Sequence, residues 1–121
     1  MSRPPKPRRV CVLPDIRTYG PIGDEHEELK KNAVIMSVVE DECMRLMDYE
    51  GLTQSEAAQA MGVARSSVQR TYESVRSKIA CCLIEGKPLR IEGGDFRLCH
   101  DIQELPRCKN CTPGRRRRGR R

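Results

Sequence analysis

The run QSEAAQAMGVARSSVQR, from Gln54 to Arg70, constrains this chain more than any other segment. It meets the demands of two helices joined through a tight turn. Thr53, Gln54, Ser55 and Glu56 have the capping-box form, in which the Thr53 hydroxyl and the Glu56 carboxylate each satisfy an otherwise unpaired backbone amide. A helix is therefore predicted over residues 53–61. Gly62 can adopt the left-handed conformation that the turn requires, and Ala58 is small where the helices must approach. A second helix is predicted over 65–85, ended by Gly86 and Pro88. Its apolar stripe, Val68, Tyr72, Val75, Ile79 and Leu83, would pack inward with Ala57, Met61 and Val63.

Burying that stripe turns a polar face outward. At about 100° per residue, Ser66, Arg70, Glu73 and Ser77 point away from the core, with Ser67 and Gln69 on the flanks. Such residues suit duplex DNA: Arg pairs with guanine, Gln with adenine, and Ser with bases or phosphates. The helix start near Arg65 attracts a backbone phosphate. An ordinary helical hairpin buried within a domain would not need this face.

The charge distribution agrees with a polyanion partner. The net charge is +6, yet residues 1–9 and 114–121 together carry ten basic residues and no acid, so the interior is net −4. Basic arms on an acidic body gain affinity by releasing counterions from phosphates. With no Trp and a single Phe, the chain lacks the aromatic platforms of single-strand binders. No run approaches the roughly 20 apolar residues of a membrane span, and the basic, Pro-rich start is unlike a secretory signal, so a cytoplasmic location is expected.

The remaining elements are short. Strands are expected over residues 10–13 and 34–38, and a helix over 40–49 with Cys43, Leu46 and Met47 on its inner face. The segments 89–92 and 95–98 flank Gly93 and Gly94, which predicts a two-residue β-hairpin pairing Ile91 with Phe96, Leu89 with Leu98 and Arg90 with Arg97. The arginine pair is unfavourable without an outside anion or diagonal acids. The expected architecture is mainly α with small β elements: a basic arm (1–9), a helix-turn-helix domain with a small sheet (10–99), a Cys-containing loop (100–113) and an Arg-rich disordered tail (114–121).

Matched segments along residues 1–99 also resemble a known family. They include Arg8-Arg9-Val10-Cys11, the run from Arg45 to Leu52, the helix-turn-helix, and Arg90-Ile91-Glu92-Gly93-Gly94. The chain resembles a small uncharacterised prokaryotic family catalogued as domain of unknown function 134. That resemblance implies a DNA-binding protein whose helix-turn-helix is similar to region 4 of sigma factors. Ala64 replaces the Ser or Thr usual before the second helix of the motif, and Val39 stands where an acidic residue opens the first helix. The arginine tail after residue 114 is not a feature associated with the family.

Three cysteines add a metal expectation. Cys108 and Cys111 have the spacing of a zinc knuckle, Cys99 precedes them, and zinc takes four ligands. Cys11 or His100 could complete the set; Cys99 and His100, being adjacent, chelate awkwardly, which favours Cys11. A redox pair or unligated thiols are the rival readings. Cys43, Cys81 and Cys82 fall in helices as small hydrophobes.

Two function classes follow. One is a transcriptional regulator that binds double-stranded DNA through Arg65, Ser66, Ser67, Gln69, Arg70 and Glu73, with a homodimer on a palindromic site as its natural assembly. The other is an adaptor in which the same helices contact RNA polymerase or another protein while the cysteines sense metal or redox state. No Ser/His/Asp set or phosphate-binding Gly-rich loop points to an enzyme.

Overall fold

A computed structural model of the chain describes residues 8–22 and 32–98. Among these residues, three helices and several short strands share one hydrophobic core, a small mixed architecture in which helix predominates. The strands are β1 (Arg8–Val10), β2 (Thr18–Tyr19), β3 (Val34–Met36), β4 (Leu89–Ile91) and β5 (Phe96–Leu98); the helices are α1 (Val38–Met44), α2 (Gln54–Met61) and α3 (Arg65–Glu85).

The expected β-hairpin is not formed. β4 is the central strand of a three-stranded sheet in the order β2-β4-β3, antiparallel to β2 and parallel to β3. Both of its edges are therefore occupied, and β5 pairs in parallel with β1 instead. Gly93 and Gly94 do take positive φ angles, 78° and 99°, but they pack on the start of α1 rather than closing a ribbon. The Gly93 carbonyl accepts from the Val38 amide at 3.0 Å, and a Cβ on Gly94 would stand 3.0 Å from Ser37 Cβ. Arg90 consequently faces Thr18 and Ile35 across its neighbours, and Arg97 faces Arg9.

Other boundaries shift for local reasons. β1 lies two residues earlier than the strand expected over 10–13 and draws Arg8 and Arg9 out of the N-terminal arm. Residues 18–19, between the two strands expected from the sequence, form β2. The strand expected over 34–38 stops at Met36, because Ser37 is an N-cap: its hydroxyl accepts from the Glu40 amide at 3.1 Å, while Glu40 Oε1 accepts from the Ser37 amide at 2.9 Å. This second capping box starts α1 at Val38 rather than at Glu40, with Val38 and Val39 buried in its first turn. Beyond Met44 the helix continues as a π-helical segment over Arg45–Tyr49, closed by the Glu50 amide donating to the Arg45 carbonyl at 2.8 Å.

The core gathers Val10, Met36, Cys43, Leu46, Met61, Val68, Val75 and Ile91. Among the described residues three charged residues are buried, Glu40, Glu42 and Glu50. Arg45 Nε donates to Glu42 Oε1 at 2.7 Å and its NH2 to Oε2 at 3.1 Å, and the same Oε2 accepts from the Cys11 amide at 2.7 Å. Burial of the carboxylate is thus compensated by fork-like charge-assisted bonds, which also tie β1 to α1.

Candidate nucleic-acid interface

α2 begins at the capping box read from the sequence, with Thr53 and Glu56 exchanging side-chain bonds to each other's amides at 3.1 and 3.0 Å. It ends at Gly62, whose φ of 68° and ψ of 35° are left-handed. The Val63 amide bonds back to the Ala58 carbonyl at 3.0 Å, which tightens the turn. Ala64 is extended and offers no side-chain cap to the 21-residue α3; its carbonyl accepts the Ser67 amide at 3.0 Å.

α3 divides into two faces. Val68 and Val75 are fully buried, and Tyr72 and Ile79 are half-buried against the core. Leu83, expected on that stripe, is 77% exposed, because the last helical turns run past the core. The opposite face leaves Arg65, Ser66, Gln69, Arg70, Glu73 and Ser77 exposed, with Ser67 half-buried. Arg65 Nε donates to Gln54 Oε1 at 3.3 Å, a link between the starts of the two helices.

The orientation of α3 is fixed from behind. Ser74 Oγ donates to Glu40 Oε2 and Lys78 Nζ to Glu40 Oε1, each at 2.6 Å, and Tyr72 Oη donates to Asp48 Oδ1 at 2.8 Å. The bond to Asp48 raises the Tyr72 phenol above its ordinary pKa. Arg76 lies over the Tyr72 ring at 5.9 Å. The inner edge of α3 is therefore spent on the protein, and its outer edge is left to solvent.

Residues 1–99 match the family model described as "Protein of unknown function DUF134". The chain belongs to this family. It is similar to UPF0251 proteins of Halothermothrix orenii (47% identical over 110 residues, 91% of this chain and 80% of the relative), Desulfitobacterium hafniense (45% over 106 residues, 84% and 80%) and Pelotomaculum thermopropionicum (41% over 111 residues, 92% and 80%). No solved structure matches the chain.

In this DUF134 chain the proposed metal ligands are only partly visible. Cys99, Cys108 and Cys111 lie outside the described residues, as do residues 1–7 of the basic arm and the arginine tail. Cys11 is buried just past β1, and Val10 is paired with Leu98, the residue that precedes Cys99 in sequence. Among the described residues, no three His, Cys, Asp or Glu side chains are grouped to hold a metal. Cys43 is a core thiol, pushed up to about 11 by burial and by nearby Asp48, Glu40 and Glu42. Cys82 lines a groove with Ile79, Leu83 and Leu89, whereas Cys81 donates outward to Glu85 at 2.7 Å. Among the described residues, no helix is long and apolar enough to cross a membrane.

Two basic residues outside the sequence-derived site stand close to it. Arg9 NH2 lies 3.9 Å from where a Cβ on Gly62 would sit, so β1 brings a guanidinium to the turn between α2 and α3. Arg97 is its direct partner across the β1–β5 pair. The unfavourable arginine pair expected in the hairpin was the available signal; its second member is Arg9, not Arg90.

Proposed function

We propose that this chain binds double-stranded DNA sequence-specifically and regulates transcription, with α2 and α3 acting as a helix-turn-helix like that of sigma factor region 4. The observation that carries this reading is the division of α3 into an inner edge bonded to α1 and its π-helical continuation and an outer face of Ser66, Gln69, Arg70 and Glu73 with no role in the core. In this reading α3 enters the major groove by its first turns. The amides beside Ala64, with Arg65, Ser66 and Ser67, meet the phosphates, and Gln69 and Arg70 meet base edges, with Glu73 next along the groove.

Selection of duplexes from a random pool by the purified full chain tests the reading. A recurring site is the expected result. On that site, Arg70→Ala should cost about 1 to 3 kcal/mol and relax base preference at one position, whereas deletion of residues 115–121 should weaken all duplexes about equally and flatten the salt dependence. Failure to bind any duplex in a salt-dependent manner would discard the proposal in favour of the adaptor that contacts RNA polymerase.

A further inference from the structure

The β1–β5 ribbon carries a charge arrangement that no ion pair among the described residues compensates. Its parallel register sets Arg9 opposite Arg97, and alternation along the strands sends both away from the face where Val10 and Leu98 join the core. Like charges directly opposite on neighbouring strands repel. Neither residue forms an ion pair among the described residues, although Glu92 and Asp95 are near in sequence: Glu92 Oε2 is engaged by Arg90 at 3.3 Å. Arg9 Nε is buried and has no acceptor among the described residues. That repulsion costs stability, and one oxyanion placed between the two residues would relieve it.

The position of the pair indicates which anion. Arg9 reaches the turn at Gly62, three residues before α3 begins, where the N-cap Ala64 supplies no side-chain acceptor to the helix start. A planar guanidinium presents parallel donors suited to the oxygens of a phosphate. We propose that Arg9 and Arg97 form a clamp for one backbone phosphate of duplex DNA, at the border of the groove that α3 reads. This rests on the DNA-binding reading above and adds to it a contact made by the sheet. The clamp fixes how deeply and at what angle α3 enters, and carries no base preference of its own.

The test uses the full chain, the selected duplex and the variants Arg9→Gln, Arg97→Gln and their combination, with Lys87→Gln as a control that loses the same single charge as each single variant. Lys87 lies beyond the far end of α3, on the order of 30 Å from Gly62 for a helix of this length. Holding one phosphate contributes about 0.9 to the slope of log affinity against log salt. The combined variant should lower that slope by about 1 and weaken selected and random duplexes by about the same factor, near tenfold at low salt, with base preference intact. Lys87→Gln should leave the slope unchanged. An unchanged slope in the combined variant, or a loss of preference without a slope change, would overturn the clamp while the DNA reading stands. A second arm adds millimolar inorganic phosphate and follows the melting temperature, which should rise in the parent chain and not in the combined variant. A phosphate-dependent rise with no effect on the DNA slope would assign the pair to a free phosphate, and so overturn its role on DNA. If the parent chain binds no duplex, the DNA reading itself fails, and the phosphate arm alone then reports whether the pair holds an anion.

Discussion

Lys78 Nζ lies 2.6 Å from Glu40 Oε1, a contact between the middle of α3 and the first turn of α1, residues 38 positions apart. The same carboxylate accepts from Ser37 and Ser74, so one side chain both caps α1 and sets the rotation of α3 about its axis. Burial by itself would raise the Glu40 carboxyl, but the bonds from Lys78, Ser37 and Ser74 outweigh it and hold the pKa below its ordinary value. Glu40→Ala should cost about 2 to 3 kcal/mol, since it removes a cap and leaves Ser74 and Lys78 without their acceptor. The native contribution is fully present above the ordinary carboxylate value near 4.5 and is lost as pH falls through the lowered one, a sign that urea titrations of both chains across pH 3 to 7 check directly.

The neighbouring residue has the opposite sign. Burial, reinforced by Glu42 and only partly offset by Arg45, pushes Asp41 up to about 6. The folded chain therefore binds more protons than the unfolded chain between about 3.8 and 6, and stability falls as pH rises through that window. Asp41→Asn should remove the fall and raise stability at neutral pH by about 1 to 2 kcal/mol. Equal stabilities of the two chains at pH 7 would show that Asp41 is not held against its charge.

Ala64 has the φ and ψ of an N-cap, −73° and 152°, without the side chain. Ala64→Ser should stabilise the chain by about 1 kcal/mol, read as a shift in denaturation midpoint at constant slope. On the proposed function, that hydroxyl competes with a DNA phosphate for the first-turn amides, so affinity for all duplexes should drop while the fold gains.

Gly62 should resist substitution for a conformational reason rather than a steric one. Its φ is 68°, and the nearest atom to an added Cβ is Arg9 NH2 at 3.9 Å, an ordinary contact. Gly62→Ala should cost about 1 to 2 kcal/mol from the left-handed backbone alone. Calorimetric melting of the two chains measures it.

Zinc remains a proposal founded on sequence, with Cys99, Cys108, Cys111 and Cys11 as ligands. Metal analysis of protein purified without chelator should find near-stoichiometric zinc that disappears in a Cys108→Ser, Cys111→Ser double variant. Metal-free protein of unchanged melting temperature would leave these residues as thiols.

The helices were legible because their signals are local. Thr53 and Glu56, Gly62, and Gly86 followed by Pro88 act within a few residues of themselves, so α2 and α3 appear within one residue of their sequence-derived limits, and the exposed face of α3 follows from its period. The capping box at Ser37 and Glu40 is as local, yet the alternation of Val34, Met36 and Val38 gave the same residues a competing strand pattern; the bonds at Ser37 decide for the helix.

The strand partners were decided by tertiary structure. Gly93 and Gly94 permit a hairpin, but permission is not pairing: each strand edge offers one row of donors and acceptors, and β4 gives both of its edges to β2 and β3, strands that lie far from it in sequence. β5 then has only β1 to complete its ladder, and that choice sets Arg9 against Arg97 beside the turn at Gly62. Leu83 shows the same division, since its helical period places it on the buried stripe while only the extent of the surrounding core leaves it exposed. Backbone conformation is set by neighbours along the chain and can be read there. Which edges meet, and where the core ends, depends on competition among distant segments for the same hydrogen bonds and the same apolar surface, which only the assembled fold resolves.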